Sequence, residues 1–149
     1  MPKIRNLDVK DIDIVAMYEK EISKISFQKD AITDIKFHRK KLIKALENEK
    51  YGMFVLCDDK NKVIGWLWLN IKKNSITNEK YIDLKSIYID KKYRNYGYAK
   101  RLIKYTYKFA RKYNIYKVVA KINYKNKKIK KLLLNNNFTE KHITMELNV

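Results

Sequence analysis

Three glycines occur in 149 residues, where average usage of about 7% would place roughly ten, so the position of each is informative. Gly97 stands where a run of strand character, Ile87-Tyr88-Ile89, passes through Asp90-Lys91-Lys92-Tyr93-Arg94-Asn95-Tyr96 into a helical stripe beginning at Ala99. The first turn of a helix leaves backbone N–H groups without carbonyl partners and carries the positive end of the helix dipole. A glycine there lets an anion come close to the backbone, so Arg94-x-x-Gly97-x-Ala99, followed by Lys100, could cradle a pyrophosphate. The same spacing also arises in an ordinary strand-to-helix turn in which glycine serves backbone geometry alone, and both readings stand at this point. Asn126 opens a shorter helical segment and reads either as its N-cap or as a polar contact for a bound group. Cys57 lies in an apolar strand context with no basic or histidine partner nearby in sequence, which suits a small buried side chain better than an acyl-carrying nucleophile.

These residues need elements to hold them. Lys3 to Leu7 reads as a short strand, and Asp8 or Asp11 can cap a helix running to about Ile22, with Ile12, Val15, Ala16 and Glu19 at helical spacing. A polar loop around Ser26 to Asp30 leads to a second helix from about Thr33 to Glu49, whose stripe is Ile35, Leu42, Ile43 and Leu46. His38 on that helix is expected to be solvated or half-buried. Met53 to Cys57 and Val63 to Ile71 are apolar runs joined by Asp58-Asp59-Lys60-Asn61-Lys62, the pattern of a hairpin. Trp66 and Trp68 alternate to one face of their strand and suit core packing. A third strand covers about Tyr81 to Ile89. Ala99, Leu102, Ile103, Thr106, Phe109, Ala110 and Tyr113 then make one helical stripe over Gly97 to Tyr113, and a strand follows at Tyr116 to Ile122. A short helix from about Asn126 to Leu134 and strands near Phe138 to Lys141 and Ile143 to Leu147 complete the order. No linker or repeat interrupts the chain, so residues 1–149 are expected to form a single domain.

Composition narrows the function classes. Lysine plus arginine number 35 against 16 acidic residues, a formal charge of +19, and hydrophobic residues make up 46%, which fits one domain with a sizeable core. A single cysteine excludes an internal disulfide, and His38 and His142 are too widely spaced to build a zinc site with it, so no metal is expected. The longest apolar stretch, Val63 to Leu69, spans seven residues against about 20 needed to cross a bilayer. The start of the chain has no signal-peptide core, so a cytoplasmic protein with no membrane partner is expected. Thirty of the 35 basic residues are lysine, which looks like diffuse charge, shared with other residue types of A- and T-rich codons, rather than bidentate phosphate recognition. Lysines interleaved with tyrosines at Lys104-Tyr105-Thr106-Tyr107-Lys108 leave nucleic-acid or ribosome binding open. The charge also disfavours polycationic partners, and either a monomer or a homodimer is compatible with it.

Arg94-x-x-Gly97-x-Ala99 after Ile87-Tyr88-Ile89 resembles the acetyl-CoA-binding signature of the GNAT (GCN5-related) N-acetyltransferase family. Farther on, Ile122-Asn123-x-x-Asn126-x-x-Ile129-x-x-Leu132-Leu133-x-x-x-Asn137-Phe138 is similar to that family's second signature. The strand Val63-Ile64-Gly65-Trp66-Leu67-Trp68-Leu69 is similar to a third family feature, and the element order agrees along the whole chain.

The resemblance implies an α/β GNAT fold, a mixed and mostly antiparallel sheet of six to seven strands flanked by about four helices. The strands ending at Ile89 and Ile122 would splay apart to admit the pantetheine arm of acetyl-CoA. It implies cofactor contacts at Ile87, Tyr88, Ile89, Arg94, Asn95, Tyr96, Gly97, Tyr98, Ala99, Lys100 and Asn126. The backbone of Ile87 and Ile89 would pair with the pantetheine amides, which satisfies groups that are costly to leave unpaired. The implied reaction is direct attack of a primary amine on the thioester in a ternary complex, with the acceptor unidentified: a protein N-terminus, a lysine or a small amine. Such an ammonium must lose a proton, and Asp83 falls where some members carry the base, with Glu79 as a second candidate. The tyrosine that often protonates the leaving thiolate falls on Leu133, so Tyr124 or Tyr88 is the candidate in its place. Asn137 stands for the motif glycine and can adopt its left-handed conformation. Alternatives on the same fold are a basic RNA- or ribosome-binding module and a CoA-binding regulator, each without catalysis.

Overall fold

The computed structural model describes all residues, 1–149. Five strands and four α-helices alternate as β1 (Lys3–Asn6), α1 (Ile12–Phe27), α2 (Ile35–Glu49), β2 (Met53–Cys57), β3 (Val63–Lys73), β4 (Lys80–Ile89), α3 (Tyr98–Lys112), β5 (Val118–Val119) and α4 (Lys127–Asn135). The strands make one sheet in chain order. All neighbours are antiparallel except β4 and β5, because α3 returns the chain to the starting end of β4 in a crossover.

Local chemistry sets the boundaries. The Asp8 side chain accepts from Lys10 N, while Asp11 answers to the Asp8 backbone in a capping box, so a single 3-10 turn precedes α1. That helix runs five residues past the expected Ile22, to Phe27, with Ile12, Val15, Ala16 and Glu19 all buried as their spacing requires. Asp34 caps α2. Its buried face is His38, Leu42 and Ala45, an i, i+4, i+7 stripe, so Ile43 points outward and His38 is buried rather than solvated, its Nε2 2.7 Å from the Ile32 carbonyl. Two helices end alike. After α3, Asn114 is left-handed and Ile115 N–H donates to Ala110 O; after α4, Asn137 is left-handed and Phe138 N–H donates to Leu133 O. Asparagine thus does at both C-termini what glycine does in most proteins.

The sheet buries both faces. Trp66, Trp68, Met53, Val55 and Tyr88 meet α1 and α2 on one side; Phe54, Leu56, Leu67, Leu69 and Ile82 meet α3 on the other. Gly52, just before β2, is required by close approach, since a Cβ there would stand 1.9 Å from the Leu69 carbonyl oxygen. A register shift between Trp68 and Leu69, opposite Ser86 and Leu84, leaves Lys85 as the extra residue of β4. Such a bulge changes which side chains face each side of the strand.

Three strand expectations are corrected. Tyr116 to Ile122 pairs with β4 only at Val118 and Val119. Phe138 to Lys141 and Ile143 to Leu147 form no strand, so the sheet has five strands rather than six or seven. Ile143, Met145 and Leu147 alternate as strand residues do, yet all three are exposed. A strand's hydrogen bonds come from its neighbour, and the two-residue β5 offers little edge to pair with.

Candidate active site

The pairing of β4 with β5 ends at Asp83 opposite Val119. From Leu84 onward β4 has β3 on one edge and a gap on the other. Asp90 N–H bonds Ile64 O across the sheet, so strand alternation turns the amides and carbonyls of Ile87 and Ile89 toward the gap. These are the two residues whose backbone the family resemblance marks for pairing. Arg94 Nε donates to Ile89 O at 2.9 Å, which occupies one lone pair of that carbonyl and fixes the arginine beside the cleft.

The gap widens into a cleft of about 450 Å³ between the C-terminal half of α1, β4, the start of α3, residues 120–122 and α4. At one end is the turn into α3. Gly97 is its N-cap in a left-handed conformation (φ 79°) with open space where a Cβ would be, and Asn95 is left-handed as well. The N–H groups of Tyr98, Ala99 and Lys100 have no preceding helical carbonyl to donate to, and Arg101 N–H makes the first bond, to Gly97 O. Arg94 and Lys100 put positive charge at this end, and Lys121 and Lys128 also line the cleft. A negative diphosphate fits such a cradle, and the free edge of β4 fits a linear amide-bearing arm.

Ten of the eleven residues marked for cofactor contact come together here: Ile87, Tyr88, Ile89, Arg94, Asn95, Gly97, Tyr98, Ala99, Lys100 and Asn126 line the cleft. Tyr96 does not; its ring lies beside Tyr98, 5.9 Å between centroids, and is 70% exposed. Asn126 lines the cleft, and its side chain accepts from Ile129 N–H as the N-cap of α4. Of the candidates for catalysis, Tyr88 lines the cleft, while Asp83, Glu79 and Tyr124 lie elsewhere. Asp83 faces Asn70 of β3 and is ion-paired to Lys72 at 2.8 Å, holding that ammonium's pKa up. Tyr124 is 79% exposed and outside the lining, and Glu79 pairs with Lys117. Leu133 points into the core, and its neighbour Leu132 is the one at the cleft.

Among the cleft residues that the sequence reading did not mark are Lys85 and Ser86. Lys85 lies 3.9 Å from the Trp68 ring centroid and 3.3 Å from Glu49. Ser86 Oγ is 2.6 Å from Glu19 Oε2, and Glu19 is 5% exposed on α1. A carboxylate on the apolar stripe of α1 is the signal that could have found this pair. Tyr88 is nearly buried; desolvation pushes its phenol up, against the opposing pull of Arg94, whose guanidinium is 5.1 Å from the ring.

Comparison with known proteins agrees with this geometry. The structure is similar to a possible acetyltransferase from Clostridium difficile 630, with a TM-score of 0.82 at 22% identity over 100% of this chain and 98% of the other. It is similar to a ribosomal-protein-alanine N-acetyltransferase from Brucella melitensis, with a TM-score of 0.75 at 14% identity over all of both chains. An aminoglycoside N-acetyltransferase in complex with CoA gives 0.79 at 14% identity, over 100% of this chain and 95% of the other. At these identities the likeness is one of fold. No curated protein matches the sequence significantly. The model of the acetyltransferase (GNAT) family matches residues 14–136, a span that holds the gap in the sheet, the Gly97 turn and α4, and the chain therefore belongs to the GNAT acetyltransferase family, as an acetyl-CoA-dependent N-acetyltransferase by class.

Proposed function

We propose that the protein transfers an acetyl group from acetyl-CoA to a primary amine by direct attack within a ternary complex. The observation that carries this reading is the free edge of β4 running from Leu84 to Ile89 straight into the left-handed Gly97 turn, which supports one continuous extended ligand with an anionic end. The N–H groups of Tyr98 to Lys100 and the Arg94 side chain would hold the diphosphate, and the backbone of Ile87 and Ile89 the amides. Bound acetyl-CoA supplies an activated acyl carbon, and the remaining steps belong to the protein.

With the diphosphate at the Gly97 turn and the amides on Ile87 and Ile89, the acyl end would lie farther back along β4, toward Ser86 and Leu84. An amine would enter from the α1 side, where Ile22, Ile25 and Ser26 form the wall. Of the phenols offered to protonate the leaving thiolate, Tyr88 lines the cleft and burial favours its protonated form. A thiolate with a pKa near 8.5 also leaves without help. Asp83 would have to act as base from within its ion pair with Lys72. The acceptor is an amine of a protein N-terminus, a lysine or a small molecule; a net charge of +19 disfavours a polycation.

Isothermal titration of nucleic-acid-free protein with acetyl-CoA near physiological salt tests the reading, with ATP in a parallel cell to control for phosphate attraction. Micromolar binding of acetyl-CoA that ATP does not imitate is expected, together with thiol release that depends on added amine. Equal binding of ATP, or none of acetyl-CoA, would overturn it in favour of a polyanion-binding role.

A further inference from the structure

Glu19 is a buried acid with every oxygen engaged. Its Oε1 accepts from Lys41 Nζ at 2.9 Å, and its Oε2 accepts from Trp66 Nε1 at 3.1 Å and from Ser86 Oγ at 2.6 Å. Packing explains the first two contacts, which tie α1 to α2 and to β3. The third is different, because Ser86 is also a wall of the cleft. With Lys41 Nζ on Oε1 and the Trp66 N–H on Oε2, the 2.6 Å contact places the serine hydroxyl as the donor to the carboxylate. Its proton is committed to Glu19, so toward the cleft it presents lone pairs and acts as an acceptor. The bulge at Lys85 puts it there, since it turns Ser86 to the α1 face immediately before Ile87 and Ile89 present their backbone to the gap. The groups packed around the pair are Lys41 from α2, Trp66 from β3 and, next along β4, Lys85, itself paired with Glu49.

We infer that Ser86 and Glu19 are the acceptor subsite and proton path for the amine, with Ser86 Oγ receiving its N–H and Glu19 acting through Ser86. This rests on the transferase reading above. The entering ammonium gives one proton to Ser86 Oγ as the serine proton passes to Glu19 Oε2. The freed nitrogen lone pair forms the C–N bond to the acyl carbon, the C–S bond breaks with its electron pair on sulfur, and the thiolate takes the second nitrogen proton. The proton on Glu19 returns to solvent by the same path, which releases one proton per turnover. Ser86 touches substrate and is catalytic; Glu19 is a positioning residue that holds the charge.

The test measures amine-dependent thiol release against pH with an alanine-initiated peptide, Nα-acetyl-lysine amide and kanamycin as probes, beside acetyl-CoA affinity by titration. S86A is expected to lower kcat/KM for the amine by about 100-fold at pH 7 and by less than about tenfold at pH 9.5, where more of the amine is already free. Its affinity for acetyl-CoA should stay within about twofold, S86T should recover most of the rate, and E19Q should behave as S86A does. S86A reads the result even if E19Q does not fold. A pH-independent deficit, a matching loss of acetyl-CoA affinity, or full activity in S86A would overturn the relay alone. An unaltered protein that binds acetyl-CoA and releases no thiol with any probe would overturn the transfer reading and the relay with it.

Discussion

Replacing Gly97 separates the cost of a strained backbone from the loss of a ligand. At Gly97→Ala the new Cβ meets no atom within 4 Å, so the fold pays only for holding an L-residue at φ 79°. That costs about 1–2 kcal/mol, and for a chain of this size about 2–4 °C of melting temperature per kcal/mol. The same open space is what a diphosphate needs in order to reach the N–H groups of Tyr98, Ala99 and Lys100. A charge-assisted hydrogen bond is worth about 1.5–3 kcal/mol, so losing one or two should weaken acetyl-CoA by roughly 10- to 100-fold or more. Gly97→Asn is the control: asparagine tolerates the left-handed region, so its melting temperature should lie nearer the parent's while its affinity stays low. Thermal denaturation and calorimetric titration of the three proteins read both quantities. An alanine variant that binds acetyl-CoA within twofold of the parent would refute the cradle, whatever its stability.

Gly52→Ala forces a methyl against the Leu69 carbonyl with no side chain to yield; such overpacking costs about 1–3 kcal/mol, visible as a lower urea midpoint. Asp11 is pushed up by burial, but its paired bonds from Arg5 at 2.7 and 3.0 Å and the Asp8 amide bring it below its ordinary value. A carboxylate lowered in the folded state adds stability above its unfolded pKa, near 3.9, and loses it as pH falls through the folded value. Arg5→Met should therefore narrow the gap between the urea midpoints at pH 7 and pH 3; an unchanged gap would show that the pair does not shape acid stability. Asp83→Asn, which breaks only the pair with Lys72, should reduce amine-dependent thiol release less than S86A does, and the reverse order would return the role of base to Asp83.

Much of the site could be read from the chain because its parts are local. A helix N-terminus, its glycine and the arginine three residues earlier lie on one continuous segment, so nine of the ten marked residues between Ile87 and Lys100 fall around one cleft, which Asn126 joins from α4. Tyr96 departs because it faces away from the turn, a choice made by the dihedrals at Asn95 and Gly97 rather than by residue type. The catalytic candidates fared differently. Asp83 is an acidic residue at a plausible strand position, but its orientation follows from the β4 bulge two residues later, and a one-residue offset exchanges the faces of a strand. Ser86 carries no signal of its own.

By itself the sequence determined the helices and long strands, through periodicity and local caps such as Asp8 and Asn126, and it determined the Gly97 turn. Those depend on interactions within a few residues of the chain. Only the tertiary structure decided where β4 and β5 part, that residues 138–147 find no strand partner, and that Glu19 reaches Ser86 across 67 positions. Each of those is a contact between segments distant in sequence, and its register and partner are set by packing rather than by the residues' own preferences.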